Sequence, residues 1–373
     1  MTVKDLSRLV LALCLFTLPA AALPQARNVQ VVSPGSGALQ TSIDAAAEGD
    51  VLLLRAGAWG PLDSVSPPIT IDGHSLILQA AKPAQSEIRR LRVQNLTASQ
   101  SVVLRGIDLD HVELVDCAGP VMIERAEVFQ LYATDSECIL RDCSVLPIYL
   151  AQRDDPYAEV TITRGAFFAY DTTIYGEGNS GFRLANTPLR LSGTTAFLEG
   201  GEVRATLFGG FSGVCPPAIG MGATHLTVRD MVIAGCDGPT GGQTFTTLPG
   251  TTRRLLSATP KAESQDVTLR FQGSPGDMVW LARSEDLAPN RPFPVVQSWY
   301  HGSWGPTSVL FLGVLDASGE LAQTYQVPSL PLMTPVQAHL LQGYFFSSGG
   351  TGQLSAPTLI QLYDGLYGQY FLP

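Results

Sequence analysis

Glu113, Tyr132 and Tyr149 stand at one position in three near-copies of a single apolar phrase. The copies are VVLRGIDLDHVELVD from Val102, VMIERAEVFQLYATD from Val121 and CILRDCSVLPIYLAQ from Cys138. Asp116, Asp135 and Gln152 follow in a parallel column, and Arg153, Asp154 and Asp155 come directly after the last copy. Tyrosines one strand spacing apart would make a flat, polar-edged platform of the kind that suits a sugar ring. Neighbouring carboxylates would hydrogen-bond its hydroxyls. The plainer reading is a surface tyrosine ladder that stabilises adjacent strands by cross-strand contact. Asp108, Asp110, Glu113, Asp116 and Asp135 could instead supply the several oxygen ligands that Ca²⁺ takes. Against that, outward strand positions and turns of an acidic protein are full of Asp and Glu. No cofactor is therefore assigned, and Ca²⁺ is the one ion these carboxylates would suit.

Such a register has meaning only if the phrase is a repeating structural unit. Shorter copies occur as VLLLRAGAW from Val51, SLILQAA from Ser75, VTITRGAFFAYDTTI from Val160, LRLSGTTAF from Leu189 and LTVRDMVIAG from Leu226. Anchored on Leu54, Leu78, Leu104, Ile123, Leu140, Ile162, Leu191 and Val228, the steps vary from 17 to 37 residues. Helical repeats hold their length because helices must stack, whereas a β-solenoid lets each coil bulge at its turns. Alternation puts those anchors in one inward column. Ile107, Ala126 and Cys143 form a second, and Val112, Leu131 and Ile148 a third. No coil could bury its apolar row alone, which accounts for the repetition.

Residues 39–81, LQTSIDAAAEGDVLLLRAGAWGPLDSVSPPITIDGHSLILQAA, add a more specific signal. Ser42 to Ala47 reads as a short amphipathic helix, Glu48-Gly49-Asp50 as a turn, Val51 to Leu54 as a strand and Gly57 to Trp59 as a Gly-aromatic turn. A second strand at Ile69 to Ile71 follows. In this order the chain resembles the right-handed parallel β-helix proteins of the pectin-lyase-like superfamily, over roughly residues 29–240. The resemblance implies an all-β, single-stranded right-handed parallel β-helix with an N-terminal helical cap. It does not settle the chemistry, since that solenoid hosts lyases, hydrolases, esterases and non-enzymes. The pectin-hydrolase pattern of Asn-Thr-Asp, Asp-Asp, Gly-His-Gly and Arg-Ile-Lys is met only by Asp154-Asp155, and His74 sits in Asp-Gly-His-Ser. Lyases of the group pair clustered carboxylates and Ca²⁺ with an Arg or Lys base, which here would be Arg153.

Composition bounds the rest. Lys4 and Arg8, the apolar run Leu9 to Leu18 and Ala20-Ala21-Ala22 form a secretory signal peptide over residues 1–22, and the run is too short for a membrane span. Export to the cell surface, periplasm or medium is expected. Cleavage leaves 21 basic against 32 acidic residues, a poor match for nucleic acid, which needs a basic stripe. Arg105, Arg141 and Arg229 share a register position, but Glu124, Thr163 and Ser192 interrupt it. The histidines show no metal-ligand spacing. Five mature cysteines are too few for a disulfide scaffold. Cys138 and Cys143 read as core thiols, while Cys117–Cys138 and Cys215–Cys236 are the pairings open to it. Asn95-Leu96-Thr97 is a sequon.

The repeat stops after Cys236. Residues 241–260 read as a Gly/Thr/Pro-rich linker. Residues 261–366 read as a small antiparallel β-sandwich with hairpins at SPGD and DASG, similar to the C-terminal β-modules of exported bacterial proteins. Residues 367–373 form a tail. The expected function is recognition of an extracellular or cell-surface polysaccharide on the lateral face of the helix, with no catalytic set assigned. The ligand-binding residues would be Glu113, Asp116, Tyr132, Asp135, Tyr149, Arg153, Asp154 and Asp155. A polysaccharide lyase or glycoside hydrolase, and a structural spacer or adhesin module, are the alternatives.

Overall fold

The computed structural model describes residues 28–35, 37–60, 66–146, 159–178, 187–207, 217–235, 239–257, 260–284, 309–330, 334–350 and 352–370. The chain folds as two compact units, one at Gln30–Gly250 and one holding Thr251–Pro373. The first unit is a parallel β-helix. Its strands pair in parallel with those of the coils before and after, and each coil contributes to three faces. The first face contains Asp50–Leu54, Leu76–Ala80, Val102–Arg105 and Pro120–Glu124. Gly57–Trp59 and the start of Glu127–Arg141 belong to the second, and Ile69–Asp72 to the third. The tightest coil takes 17 residues, from Glu124 to Arg141, and a later one takes 30, from Glu199 to Arg229.

Inward alternation builds a continuous core. On the first face the pairing runs Leu52, Leu78, Leu104, Ile123, Leu140, Ala169, Leu198, Val228. Leu54, Ile162 and Leu191 are also buried and inward, but the column expected for them is corrected: Ile162 and Leu191 belong to the third face, stacked on Leu114 and Ala133. Leu131 likewise stacks on Val160, not Ile148. The cause is a length difference. The third-face partner of Gln130 is Glu159, 29 residues on, where the sequence repeat placed the strand about 17 residues on.

The corners explain the acidic residues. Asn95, Asp116, Asp135 and Arg164 adopt the left-handed conformation at one corner, with φ of 58°, 54°, 49° and 56°. Arg125, Asp142, Asp171 and Asp230 do so at the next, with Gly106 and Gly200 in the same line. At Asn95, Gly106, Asp116, Arg125 and Asp142 the backbone N–H reaches up one coil, as in Asp116 N–H to Thr134 O at 3.1 Å and Asp142 N–H to Tyr170 O at 3.0 Å. A left-handed residue with a Cβ costs roughly 1–2 kcal/mol, and Gly, Asn and Asp adopt the conformation most readily. Much of the Asp content of the repeat is therefore corner chemistry.

The N-terminal cap forms as a helix, but over Ala38–Ala45, earlier than expected, with Gly37 in the left-handed conformation at its start and Leu39 and Ile43 buried. Gln40 lies against the first strand of the third face. Its Oε1 accepts from Thr70 N–H at 2.7 Å, and its Nε2 donates to Thr70 O at 3.0 Å. One side-chain amide thus satisfies both polar groups of a residue on an otherwise unpaired edge. At the turn, Asp50 accepts from Ala47 N–H at 2.9 Å and Glu48 from Ser75 N–H at 2.9 Å, tying the cap to the next coil.

Arg105, Arg141 and Arg229 do share a register, yet the residues between them are Glu124, Tyr170 and Glu199. All six are buried. Glu124 lies 2.8 Å from Arg141 and 3.6 Å from Arg105, and Glu199 lies 3.2 Å from Arg229. Burial works to raise the Glu124 carboxyl, but Arg105, Arg141 and Arg125 outweigh it and hold it below its ordinary value. Cys117, Cys138 and Cys143 are free, buried thiols. Cys138 stacks on Val121 rather than Cys117, and Cys117 Sγ donates to Val93 O at 3.4 Å. Burial pushes the Cys143 thiol up to about 12. Cys215 and Cys236, like the signal segment 1–22, lie outside the described residues.

The second unit is a two-sheet sandwich, antiparallel except where Lys261–Ala262 pairs in parallel with Thr358–Tyr363. Arg254–Ser257, Asp266–Gln272 and Glu320–Gln326 make one sheet, while Met278–Ser284, Val309–Val314, Val336–Phe346 and Thr358–Tyr363 belong to the other. Leu255, Leu269 and Phe271 of the first pack with Val279, Leu281, Phe345 and Ile360 of the second. SPGD and DASG close as turns, with Asp277 N–H to Ser274 O at 3.1 Å and Gly319 N–H to Asp316 O at 2.9 Å. They are not hairpins, because each carries the chain from one sheet to the other. Residues 241–260 are not a bare linker either: Thr246–Thr247 continues the solenoid and Arg254–Ser257 begins the sandwich. Gly365–Tyr370 forms a 3-10 turn where the tail was expected. No helix among the described residues is long and apolar enough to cross a membrane.

Replacing Glu124 with Ala leaves two buried guanidinium groups without their carboxylate, and breaking a buried pair costs about 3–5 kcal/mol. A urea titration of Glu124→Ala should show a loss of that order. An unchanged midpoint would show that the ladder contributes nothing to stability.

Candidate functional site

The outward side of the third face brings chemistry-bearing side chains into two adjacent columns. One runs Thr70, Arg92, Glu113, Tyr132, Thr161, Arg190, and the other Arg90, His111, Gln130, Glu159. Inward residues Leu91, Val112, Leu131, Val160 and Leu189 alternate with them and pin each strand to the core, so the outer side chains are fixed in register.

Within these columns the contacts are continuous. Arg92 Nε donates to Glu113 Oε2 at 2.7 Å, and its Nη2 reaches the same oxygen. His111 Nε2 lies 3.0 Å from Glu113 Oε1 and its Nδ1 3.0 Å from Gln130 Oε1. The His111 and Tyr132 rings are 5.3 Å apart and tilted by 40°. Tyr132 O–H donates to Glu159 Oε2 at 3.3 Å, Thr161 O–H to Glu159 Oε1 at 2.8 Å, and Arg190 Nη1 lies 3.3 Å from the same Oε1. Burial works to raise the Glu113 carboxyl, but hydrogen bonds from His111 and Arg92 prevail and hold it below its ordinary value. At neutral pH it is an anion with a fixed orientation. The surface is half-buried, with an aromatic pair flanked by oriented donors and acceptors.

Of the expected ligand-binding residues, Glu113 and Tyr132 meet here, paired across one rung. Asp116 and Asp135 do not; they occupy the corner beyond, and Asp135 is paired with Arg164 at 2.7 Å. The Arg164 hydrogen bond holds the Asp135 carboxyl low. The residue stacked on Tyr132 is Thr161, so the expected Tyr132–Tyr149 column does not form. Tyr149, Arg153, Asp154 and Asp155 lie outside the described residues. His111, Gln130, Glu159, Thr161, Arg92 and Arg190 were missed. Glu159 could have been found by reading the alternation of EVTITRG backwards from Ile162, which places Thr161 and Glu159 outward.

The carboxylates considered for Ca²⁺ do not converge on one point. Glu113 faces outward on the third face, Asp116 and Asp135 sit at a corner, and Asp108 and Asp110 line a separate cleft on the second face. Among the described residues no group of three His, Cys, Asp or Glu is placed to hold a metal ion. The cleft encloses about 240 Å³ between Glu87, Asp108, Asp110 and Glu127 and the apolar Leu109, Val128, Phe129 and Leu146. Glu87 and Asp108 are paired across one rung. Burial raises the Asp108 carboxyl, and the charges of Glu127, Glu87 and Asp110 raise it further.

No family model matches the chain, and no curated protein matches it. Among solved structures it is similar to a PL6 family alginate lyase at 15% identity, covering 62% of this chain and 41% of that one with a TM-score of 0.33. It is similar to the enzymatically active domain of tailspike protein 4 of bacteriophage CBA120 at 9% identity, covering 87% and 65%, with a TM-score of 0.25. A superoxide reductase (neelaredoxin) from Ignicoccus hospitalis matches at 13% identity over 30% of this chain and 81% of that one, with a TM-score of 0.19. The chain thus spans less than two thirds of the lyase and of the tailspike domain. The class of protein, a parallel β-helix followed by a β-sandwich, is defined by the strand pairing itself.

The raised Asp108 carboxyl has a consequence for stability. Burial and the neighbouring carboxylates make its ionisation costlier in the folded chain than in the unfolded one, and at pH 7 the folded form bears that penalty. As pH falls through its folded pKa the penalty is relieved, completely so below its unfolded value. Asp108→Asn should therefore raise the urea midpoint at pH 7, and the gain should shrink towards zero by about pH 4. A gain independent of pH would mean that neither burial of the Asp108 charge nor repulsion from its neighbours is its source.

Proposed function

We propose that the chain recognises a polysaccharide along the third face of its β-helix. The observation that supports this reading best is the His111–Tyr132 ring pair, set between Glu113 and Glu159 with Gln130 and Thr161 at its edges. Aromatic faces bounded by oriented hydrogen-bonding groups suit a ring that is apolar on its faces and hydroxylated at its rim. The columns run along the solenoid axis, so successive units of a polymer can meet successive coils. Export through the segment 1–22 would bring the protein to such polymers, and the sandwich would act as an accessory module.

A hydrolytic reading is favoured by one feature, the second-face cleft. Asp108 has a raised carboxyl beside Glu127 and Glu87. Two carboxyl groups facing one cleft can divide the roles of acid and base in glycoside cleavage. New reducing ends formed from a polysaccharide, and lost in Asp108→Asn, would establish it.

Affinity electrophoresis of the mature protein in gels cast with a range of polysaccharides tests the binding reading. At least one polymer should retard the protein, and Tyr132→Ala should weaken that retardation roughly tenfold, about 1.4 kcal/mol. Tyr132 is not part of the core, so the circular dichroism spectrum of the variant should be unchanged. Absence of retardation and of product with every polymer would leave a structural spacer or adhesin module as the reading.

A further inference from the structure

Resting on the reading of the third face as a glycan-binding surface, we infer that its ligand is an uncharged polysaccharide, and that Glu113 and Glu159 exclude polyanions such as polyuronates. The argument lies in how the cations of the face are used. A carboxylate or sulfate is recognised best by a guanidinium fork that offers parallel N–H groups. Arg92 spends Nε and Nη2 on Glu113, Arg164 spends the same two nitrogens on Asp135, and Arg190 faces Glu159 at 3.3 Å. Arg90 Nη1 is committed to Ser66 O at 2.7 Å. His111 is held between Glu113 and Gln130. An arriving anion would find only the guanidinium edges turned away from these pairs, and there it would sit beside a carboxylate that already neutralises the cation.

Hydroxyl groups meet no such obstacle. Each is both donor and acceptor, so it can give a hydrogen bond to a remaining lone pair of Glu113 or Glu159 and accept one from Gln130 or Arg190. The wider field acts in the same sense. The second-face cleft adds Glu87, Asp108, Asp110 and Glu127, and the whole chain carries a formal charge of −10. Like-charge juxtaposition of this kind rejects the wrong ligand and does little for the affinity of the right one.

The test uses the mature full chain in gels containing neutral polymers (xylan, galactan, mannan and mixed-linkage glucan) or acidic ones (polygalacturonate, alginate and hyaluronate), at low and at near-physiological salt. The expected result is retardation by at least one neutral polymer, at least tenfold stronger than by any acidic one and insensitive to salt. Glu113→Gln and Glu159→Gln should each lower the neutral-to-acidic affinity ratio at least fivefold, and two variants guard against a folding defect in one. Preferential retardation by an acidic polymer, weakening as salt rises, would overturn the inference while leaving glycan binding intact. An unchanged ratio in both variants would overturn the role of the two carboxylates. Retardation by no polymer of either kind would remove the glycan reading, and this inference with it.

Discussion

Everything in the first unit depends on the backbone hydrogen bonds between successive coils. A coil of about 17 to 30 residues has too little apolar surface to fold alone, and it becomes stable only when the coils beside it satisfy its peptide groups and cover its core edge. That pairing also fixes the phase of every strand. A slip of one residue would turn core side chains outward and surface groups inward; here it would exchange Val112 with Glu113 and Leu131 with Tyr132. The chemistry of the third face is thus inherited from the core, because the same register that stacks Leu131 on Val160 stacks Tyr132 on Thr161.

Charge is handled differently on the different faces. On the first face, Arg105, Glu124 and Arg141 are removed from water and alternate in sign from coil to coil, which is the arrangement in which stacked charges attract. On the third face the same pairing occurs at the surface, where solvent weakens each contact but the orientation survives. On the second face Glu87, Asp108 and Glu127 follow one another with like sign, and the cost appears in the raised Asp108 carboxyl. One repeat therefore produces a ladder that specifies register, a surface that presents hydrogen bonds, and a cleft that repels anions.

The fold was legible because its signal is periodic. Alternating Val, Leu and Ile with polar corners identified the solenoid, and the order helix, Glu-Gly-Asp, strand, Gly-aromatic identified its start. The site was less legible because outward residues have no period of their own and must be located by counting from inward ones. The count held from Val102 to Val145 and had failed by Glu159, which pairs with Gln130. Tyr149 was therefore aligned with Tyr132 in place of Thr161, and Glu159 was passed over. Asp116 and Asp135 were misread for another reason. A carboxylate chosen because Asp tolerates φ near +50° looks, in a sequence, the same as one chosen to bind an ion.

The contact between Gln40 and Thr70 has a further consequence. A stack of parallel strands ends in a row of peptide groups that would accept another strand from any chain that met it, and such growth has no natural stop. By mimicking a neighbouring peptide, the Gln40 amide saturates Thr70 at the leading end. The solenoid is in this sense a filament with a built-in end: on its third face one side chain takes the place that the next strand would occupy.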